Sequence, residues 1–315
     1  MFMIYEKHFF LSHIAIVIFI SSTVFFNPNI QSYGEENKNI SDSERNFNLY
    51  LLSKVFEKEI EKISNIVKMV DNSPEFQILS YNNVSKEYMT LYHGIPENEE
   101  LEKRSIFKSV MEISPSISGL FFLLPNGDMY VEEPYYYQQN LTKTNFSFRD
   151  YYYGAINSGE MYMGDVIISA ASGIPISVVA IPIYTQSLGN VPSTSEINNT
   201  MIGILGVDVN FKTFDNFLKS LPLSTNKERM VFLDGFGNKI ADSSKSNFKN
   251  ESSIFSGLSS FKSAINGLSG NTIEEFDNKT KIQISYAPVK SIQKTWALLW
   301  LKPYTANQVQ NQAQN

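Results

Sequence analysis

"FSFRDYYYGAINSGEMYMGDVIISAASGIPISVVAIPIY" (residues 146–184) leads from a charged aromatic cluster, through a short helix or turn, into two apolar strands around Ser172-Gly173. The run "IGILGVDVNF" (202–211) predicts another strand, and "KTFDNFLKSLP" (212–222) predicts a helix after it. Runs of β-branched and aliphatic residues bounded by Gly and Pro are typical of strands. This order predicts an α+β fold built on an antiparallel sheet.

The same order of sequence patterns occurs a second time. "FFLLPNGDMYV" (121–131), which predicts a hairpin turn at its Asn-Gly pair, is matched by "VFLDGFGNKIA" (231–241). "AINSG" (155–159) is matched by "AINGLSG" (264–270), and a proline-containing strand follows each of them. A repeat of this kind indicates two copies of one structural unit. We therefore expect two tandem modules, each with an antiparallel sheet and flanking helices.

One long amphipathic helix is predicted at residues 41–72, before the two modules. Ser41 and Glu44 have the spacing of a capping box, and Asn72 to Pro74 supply a stop. Apolar residues recur every seven positions and form one stripe, at Leu49, Phe56, Ile63 and Val70. Either a homodimeric seam or packing against the globular part would cover this stripe.

The N-terminus carries an apolar stretch of another kind. "FFLSHIAIVIFISSTVFF" (9–26) has the length of a membrane-spanning helix, so residues 1–30 are expected to be a transmembrane anchor or a cleaved signal segment. Both alternatives place the globular part outside the cytoplasm, and the anchor makes the chain a single-pass cell-membrane protein. Seven N-x-S/T sequons agree with an extracytoplasmic surface, although an Asn-rich chain also produces them by chance; they are at Asn39, Asn83, Asn140, Asn145, Asn198, Asn250 and Asn278.

Composition argues against several functional classes. The formal net charge is -6 and basic residues are not clustered, so binding to nucleic acid would lack its electrostatic driving force. The chain has no cysteine, and two of its three histidines lie in the N-terminal apolar segment, which leaves His93 alone. A catalytic triad, a thiolate or multi-histidine metal site and a disulfide are therefore not expected. We expect neither an enzyme nor a cofactor.

Residues 35–303 resemble the double Cache (dCache) extracytoplasmic sensor domains, on the strength of the 146–184 stretch followed by "GILGVDVNF". The resemblance implies a membrane anchor, a long N-terminal helix and two PAS-like (Cache) modules, of which the membrane-distal one binds the ligand. In this sequence, the distal module would span 76–222 and the proximal module 227–303. A polar tail, 304–315, follows them.

The resemblance also implies a ligand site. One branch of the family binds free amino acids through an arginine, an aromatic residue two positions later, a tyrosine three positions later and a distant aspartate. Arg149, Tyr151, Tyr152 and Asp208 occupy these positions. A guanidinium can hold a carboxylate through two hydrogen bonds, and an aspartate can accept hydrogen bonds from an ammonium group. The branch usually has a tyrosine at the position of Thr144 and a tryptophan at that of Tyr151.

Tyr162 and Asp165 are further candidates for the same pocket; alternatively, they form a strand end and a turn. Arg149 could instead pair with Asp150 or another carboxylate and fix the loop. Tyr151 and Tyr153 could both belong to the core, with Tyr152 alone facing the pocket. Asp208 could cap the helix that begins near Lys212, for which Asn210 is better placed.

The leading functional hypothesis is a membrane-anchored sensor that binds a small solute in the distal module. The solute would be an amino acid or another small carboxylate or amine. The signal would pass through a partner, through the N-terminal helix or through an output domain missing from this sequence. A homodimer is the alternative to a separate signalling partner. The alternative hypothesis is a ligand-free cell-surface module used for protein-protein contacts.

Overall fold

The computed structural model describes residues 41–81, 83–184, 200–223, 227–244, 251–276 and 280–304. The predicted membrane segment and nearly all of the polar tail lie outside these residues. Among the helices that are described, none has both the length and the apolar character needed to cross a membrane.

The chain's first described element is the long helix α1 (Asp42–Asp71). Its N-terminus has the predicted capping box, in which the Glu44 N–H donates to Ser41 Oγ at 3.2 Å and the Ser41 N–H donates to Glu44 Oε2 at 3.4 Å. All four members of the predicted apolar stripe are at most 2 % exposed. The stripe is therefore covered by the rest of this chain, which was one of the two alternatives.

Helix α1 contacts both modules. Glu59 Oε1 accepts a hydrogen bond from Ser116 Oγ of the first module at 2.7 Å. Nearer its N-terminus, Glu57 Oε1 accepts from the Lys290 N–H of the second module at 3.0 Å. The α1 stripe, the inner face of the first sheet and the inner face of the second sheet form one continuous apolar cluster.

The first module contains an antiparallel sheet with strand order β2-β1-β6-β5-β3, and β4 also pairs with β5. After a 3₁₀ turn (Pro74–Gln77), its elements are α2 (Lys86–Tyr92), α3 (Leu101–Ile113), β1 (Ile117–Leu123), β2 (Met129–Glu133), α4 (Tyr135–Gln139), α5 (Asp150–Ser158), β3 (Tyr162–Met163), β4 (Ile167–Ile168), β5 (Pro175–Tyr184), β6 (Met201–Asn210) and α6 (Lys212–Ser220).

The second module repeats this topology with strand order β8-β7-β11-β10-β9, again antiparallel. Its elements are β7 (Arg229–Leu233), β8 (Lys239–Asp242), α7 (Ser252–Gly257), α8 (Ser259–Ile265), β9 (Gly270–Phe276), β10 (Thr280–Lys290) and β11 (Thr295–Pro303). The two hairpins matched in the sequence, β1-β2 and β7-β8, occupy the same edge of their sheets. The predicted fold class, one long helix followed by two tandem α+β modules, is confirmed.

Each sheet has an outer face with an apolar cluster of its own. In the first module this cluster joins the outer side of the sheet to α5 and includes Phe121, Tyr151 and Val178. In the second module it joins the sheet to α7 and α8 and includes Phe255 and Phe261. The charged side chains that interrupt the first of these clusters form the candidate site.

Candidate functional site

A cavity of about 30 Å³ lies within the outer face of the first sheet. Three of the residues singled out in the sequence line it together, namely Arg149, Tyr151 and Asp208. A third charged residue, Glu132, lines it as well. The remaining lining residues are small or apolar: Phe121, Met129, Leu141, Phe146, Ile167, Ser169, Ala170, Ala171, Ile176 and Val178.

The strand register brings the two acids to the same face of the sheet. Phe121 of β1 lies opposite Glu132 of β2 on one side and opposite Gly206 of β6 on the other. Asp208 follows Gly206 by two positions, so its side chain leaves the sheet on that same face. It is therefore the sheet, rather than a flexible loop, that positions both carboxyl groups.

A glycine keeps the space beside Asp208 free. Gly119 lies opposite Asp208 in the β1-β6 pairing. A Cβ atom at position 119 would lie 3.3 Å from Asp208 Oδ2, closer than most packed carbon atoms lie to an oxygen. A side chain at position 119 would therefore crowd the Asp208 carboxyl group.

Asp208 is 3 % exposed, and its Oδ1 has no hydrogen-bond partner among the described residues. Desolvation by burial raises the pKa of this carboxyl group to about 7. A buried polar atom without a partner is uncommon and costs free energy, which makes it a marker of a functional or liganded position.

Glu132 is buried to the same extent as Asp208. It is 3 % exposed, and its Oε2 also lacks a partner in the part of the chain that the structure describes. Burial, and after it the negative charges of Asp208 and Glu133, raise the pKa of Glu132 well above its usual value. The two acids of the cavity therefore repel each other when both are ionised.

Arg149 supplies the opposite charge at the N-terminus of α5. Its guanidinium lies over the Phe148 ring at 5.1 Å, and its buried Nε has no hydrogen-bond partner among the described residues. Within those residues Arg149 forms no ion pair, so the alternative pairing with Asp150 is not present. Asp150 instead accepts a hydrogen bond from the Asp165 N–H at 2.6 Å.

Tyr151 lines the cavity together with the charged groups. Its ring packs at 5.8 Å from the ring of Phe121, and the side chain is buried. Burial raises the pKa of the Tyr151 hydroxyl, the charge of Asp208 raises it further, and Arg149 opposes that effect. Tyr151 is thus both a core residue and a wall of the cavity.

The cavity is closed on one side by the turn at residues 169–174, between β4 and β5. Ser169 Oγ accepts hydrogen bonds from the N–H groups of Ala171 at 3.2 Å and Ser172 at 3.1 Å. The Ser169 N–H donates to the Ile174 carbonyl at 2.9 Å. These bonds satisfy the turn internally, so its cavity-facing side presents the small side chains of Ala170 and Ala171.

The structure places three of the sequence candidates outside the cavity. The Tyr152 hydroxyl donates to the Pro125 carbonyl at 2.7 Å. The Tyr162 ring occupies the space that a side chain at Gly154 would need. Asp165 forms an ion pair with Lys294 of the second module.

These placements have simple causes. Residues 150–158 are helical, so Tyr152 is turned about 100° away from Tyr151. The segment from β3 to β4 is at the sheet edge beside the second module, where Gln293 Oε1 also accepts from the Met163 N–H at 3.0 Å. The alternative in which Asp208 caps α6 is not observed either, because Asn210 Oδ1 accepts from the Lys212 N–H at 3.2 Å.

Glu132 is the charged cavity residue that sequence reasoning missed. A pair of glutamates at the end of an apolar strand is a usable signal, because side-chain alternation sends one of the two toward each face of the sheet. As for metals, the described residues contain no group of three His, Asp or Glu side chains that could hold an ion.

No protein-family model and no curated protein matches the sequence. Solved structures do match the fold. The ligand-binding domain of the Pseudomonas fluorescens chemoreceptor CtaA, in complex with L-isoleucine, aligns with a TM-score of 0.54 at 11 % identity, covering 83 % of this chain and 92 % of that one.

Two Pseudomonas aeruginosa PAO1 amino-acid chemoreceptors are similar to the same degree. The ligand-binding domain of PctC, in complex with GABA, aligns with a TM-score of 0.53 at 13 % identity, over 83 % of this chain and 99 % of that one. That of PctB, in complex with L-Arg, aligns with a TM-score of 0.52 at 12 % identity, over 86 % and 91 %. The described chain therefore has the double Cache fold of these chemoreceptor ligand-binding domains.

Proposed function

We propose that the protein is an extracytoplasmic sensor domain that binds a small amino acid, or a closely related amine or carboxylate, in the cavity of its first module. The observation that carries the proposal is a set of buried polar atoms around one cavity that have no hydrogen-bond partner among the described residues. They belong to Arg149, Asp208 and Glu132. A ligand with both charges would satisfy all three side chains at once.

The arrangement of charge supports a zwitterionic ligand. Arg149 lines the same cavity as two carboxyl groups, yet in the described chain it pairs with neither of them. A cation and carboxyl groups that line one cavity without pairing match a ligand carboxylate on one side and a ligand ammonium on the other. The apolar lining would exclude water and strengthen both contacts.

The size of the cavity favours the smallest members of this class. At about 30 Å³ it is a compact space, and alanine residues rather than larger side chains form the turn that closes it. Such a space holds only about one or two water molecules, so every amino acid would require this turn to move, and the smallest would require the least movement.

We further propose that the N-terminal apolar segment anchors the protein in the cell membrane with the globular part outside. The support is the segment's length and apolar composition, together with the fold shared with chemoreceptor ligand-binding domains. Membranes carrying the protein would retain it after extraction with alkaline carbonate, and a protease added outside the cell would reach the globular part. Release by carbonate, or protection from external protease, would contradict this topology.

The ligand proposal is tested by thermal unfolding of the purified full chain in detergent, against the twenty amino acids, ethylamine and propionate. A ligand at 100 times its dissociation constant should stabilise the chain by about 2.7 kcal/mol, a shift of a few degrees. Arg149→Ala should abolish the shift for ligands that carry a carboxylate.

Lys143→Ala is the matched control, because Lys143 also lies over the Phe148 ring, at 5.0 Å, but does not line the cavity. The control should bind ligand as the wild type does. Absence of a shift with every compound would refute the ligand proposal and favour the ligand-free interaction module. An equal loss of binding in both variants would show that the cation is not specifically required.

A further inference from the structure

The two adjacent glutamates at the end of β2 have opposite environments. Glu133 Oε1 pairs with Arg104 Nη1 at 2.9 Å, and its Oε2 accepts from the Tyr135 N–H at 3.1 Å. Both of its oxygens are therefore engaged in holding the fold. Glu132, one residue earlier, turns into the cavity with Oε2 unpartnered among the described residues.

The backbone of Glu132 is nevertheless firmly held. Its N–H donates to Gln138 Oε1 at 3.0 Å, and its carbonyl accepts from Arg104 Nη1 at 3.2 Å. Gln138 and Arg104 are themselves at most 1 % exposed. A residue whose backbone is held by two buried partners, while its carboxyl Oε2 has none among the described residues, is organised in advance for a ligand.

Glu132 and Asp208 approach the cavity from strands that are not neighbours. β1 lies between β2 and β6, so the two backbones are about two strand spacings, roughly 10 Å, apart. Each carboxyl group has one oxygen without a partner in the described chain, and they line the same space. An ammonium group has three N–H donors, enough to bond both carboxyl groups and a further acceptor.

We propose that Glu132 is a ligand-binding residue that, together with Asp208, forms a two-carboxylate cradle for the ammonium group of the ligand. This inference rests on the proposed function and adds to it a residue and a ligand preference. The cradle selects ligands with a primary ammonium group. It rejects ligands with a second carboxylate in their side chain, because two carboxyl groups already face that space.

Ligand binding at the cradle is also coupled to the release of protons. The titratable or charged groups around it are Glu132, Asp208, Tyr151 and Arg149, with Tyr137 beside Asp208 and Glu133 beside Glu132. Burial raises the pKa of Asp208 to about 7, so a part of the unliganded molecules holds a proton on this group at neutral pH. An ammonium group bound between the two acids stabilises their ionised forms, so it expels protons as it binds.

The test measures the binding of three matched compounds to the full chain by calorimetry, in wild type and in Glu132→Gln. L-alanine carries both charged groups, ethylamine carries only the ammonium, and propionate carries only the carboxylate. Glu132→Gln should lower the affinity for L-alanine and for ethylamine by about tenfold or more, as expected for loss of a charge-assisted hydrogen bond. Propionate should bind unchanged or more tightly.

Calorimetry in two pH 7 buffers of different ionisation enthalpy gives the number of protons released. Wild type should release protons on binding L-alanine and ethylamine, and Glu132→Gln should release fewer. Glu132→Asp, which keeps the charge, should recover part of the affinity. Glu160→Gln, at an exposed position of the same module, should match wild type throughout. If L-alanine does not bind, the same measurements use the amino acid that gave the largest thermal shift.

The possible failures are distinguishable. Arg149-dependent binding that is equally tight in Glu132→Gln would overturn the cradle and leave the proposed function standing. The cradle alone would also be overturned if Glu132→Gln weakened propionate as much as ethylamine, since that pattern indicates a general structural defect. If none of the twenty amino acids, ethylamine and propionate bound to the wild type, the cradle and the proposed function would both be refuted.

Discussion

Replacing Asp208 by asparagine should stabilise the protein at neutral and alkaline pH. Burial raises the pKa of Asp208 from the ordinary 3.8 to about 7, a difference of about 3 units. Each unit corresponds to about 1.36 kcal/mol, so ionising Asp208 in the folded chain costs about 4 kcal/mol more than in the unfolded chain.

The sign follows from proton linkage. Between about pH 4 and pH 7, the folded chain holds a proton on Asp208 that the unfolded chain has already lost. The contribution of this group to stability is therefore present in full below pH 4 and is lost as the pH rises to about 7. An asparagine side chain does not titrate, so the Asp208→Asn variant lacks this loss.

The assay is urea unfolding of the full chain in detergent, followed by far-UV circular dichroism, at half-unit steps from pH 4 to pH 8. Asp208→Asn and wild type should agree within about 1 kcal/mol at pH 4 and diverge to about 4 kcal/mol, with the variant more stable, at pH 8. Glu160→Gln should follow the wild-type curve. A constant difference between Asp208→Asn and wild type, or a destabilised variant at pH 8, would mean that a cation such as Arg149 compensates the buried charge.

Three further substitutions test the local structure. Tyr152→Phe removes the hydrogen bond to the Pro125 carbonyl and should cost about 1 kcal/mol in unfolding free energy; a change in ligand affinity as well would return Tyr152 to the binding site. Gly206→Ala would place a Cβ 2.1 Å from Cζ of Phe121, so it should cost about 1–3 kcal/mol and lower the melting temperature; an unchanged melting temperature would show that the ring moves freely. Lys294→Met leaves the half-buried Asp165 without its cation and should cost about 1–2 kcal/mol. Lys219→Met, which breaks an ion pair within α6, should cost about 0.5 kcal/mol or less, and equal losses in the two lysine variants would contradict the special role of the Lys294 pair.

The architecture could be predicted from the sequence because the sequence signals that specify it are local. A capping box, a seven-residue apolar period and Asn-Gly turns each depend on a few neighbouring residues. The repeated order of these signals was then enough to expect two copies of one module, and the common strand order of the two sheets confirms it.

The candidate site was only partly accessible. The proximity of Arg149 and Asp208 came from resemblance to a family, since nothing in their spacing reveals it. The direction of each tyrosine in the 151–153 run depends on whether the run is a strand or a helix, and the structure has a helix there. In a helix, neighbours point about 100° apart, so Tyr151 and Tyr152 cannot be assigned by alternation.

The sequence could not show which of Glu132 and Glu133 faces the cavity. The side of the sheet on which each side chain lies depends on the β1-β2 register, and this register shifts between Phe122 and Leu123. The ion pair between Asp165 and Lys294 joins residues 129 positions apart and belongs to the packing of two modules. Both features are consequences of tertiary structure and leave no periodic signal.

The shared inner core has a consequence for how the protein loses its structure. The chain is a duplication in topology, but the residues behind both sheets, among them Phe122 and Phe232, belong to one apolar cluster with α1. Phe56 of α1 packs at 4.8 Å from the ring of Phe232, while Ile63 and Val70 of α1 belong to the same buried cluster. If α1 separated from one sheet, the inner face of the other sheet would therefore be exposed as well. We expect the two modules to melt in a single cooperative transition, with the amides of α1 among the slowest to exchange with solvent.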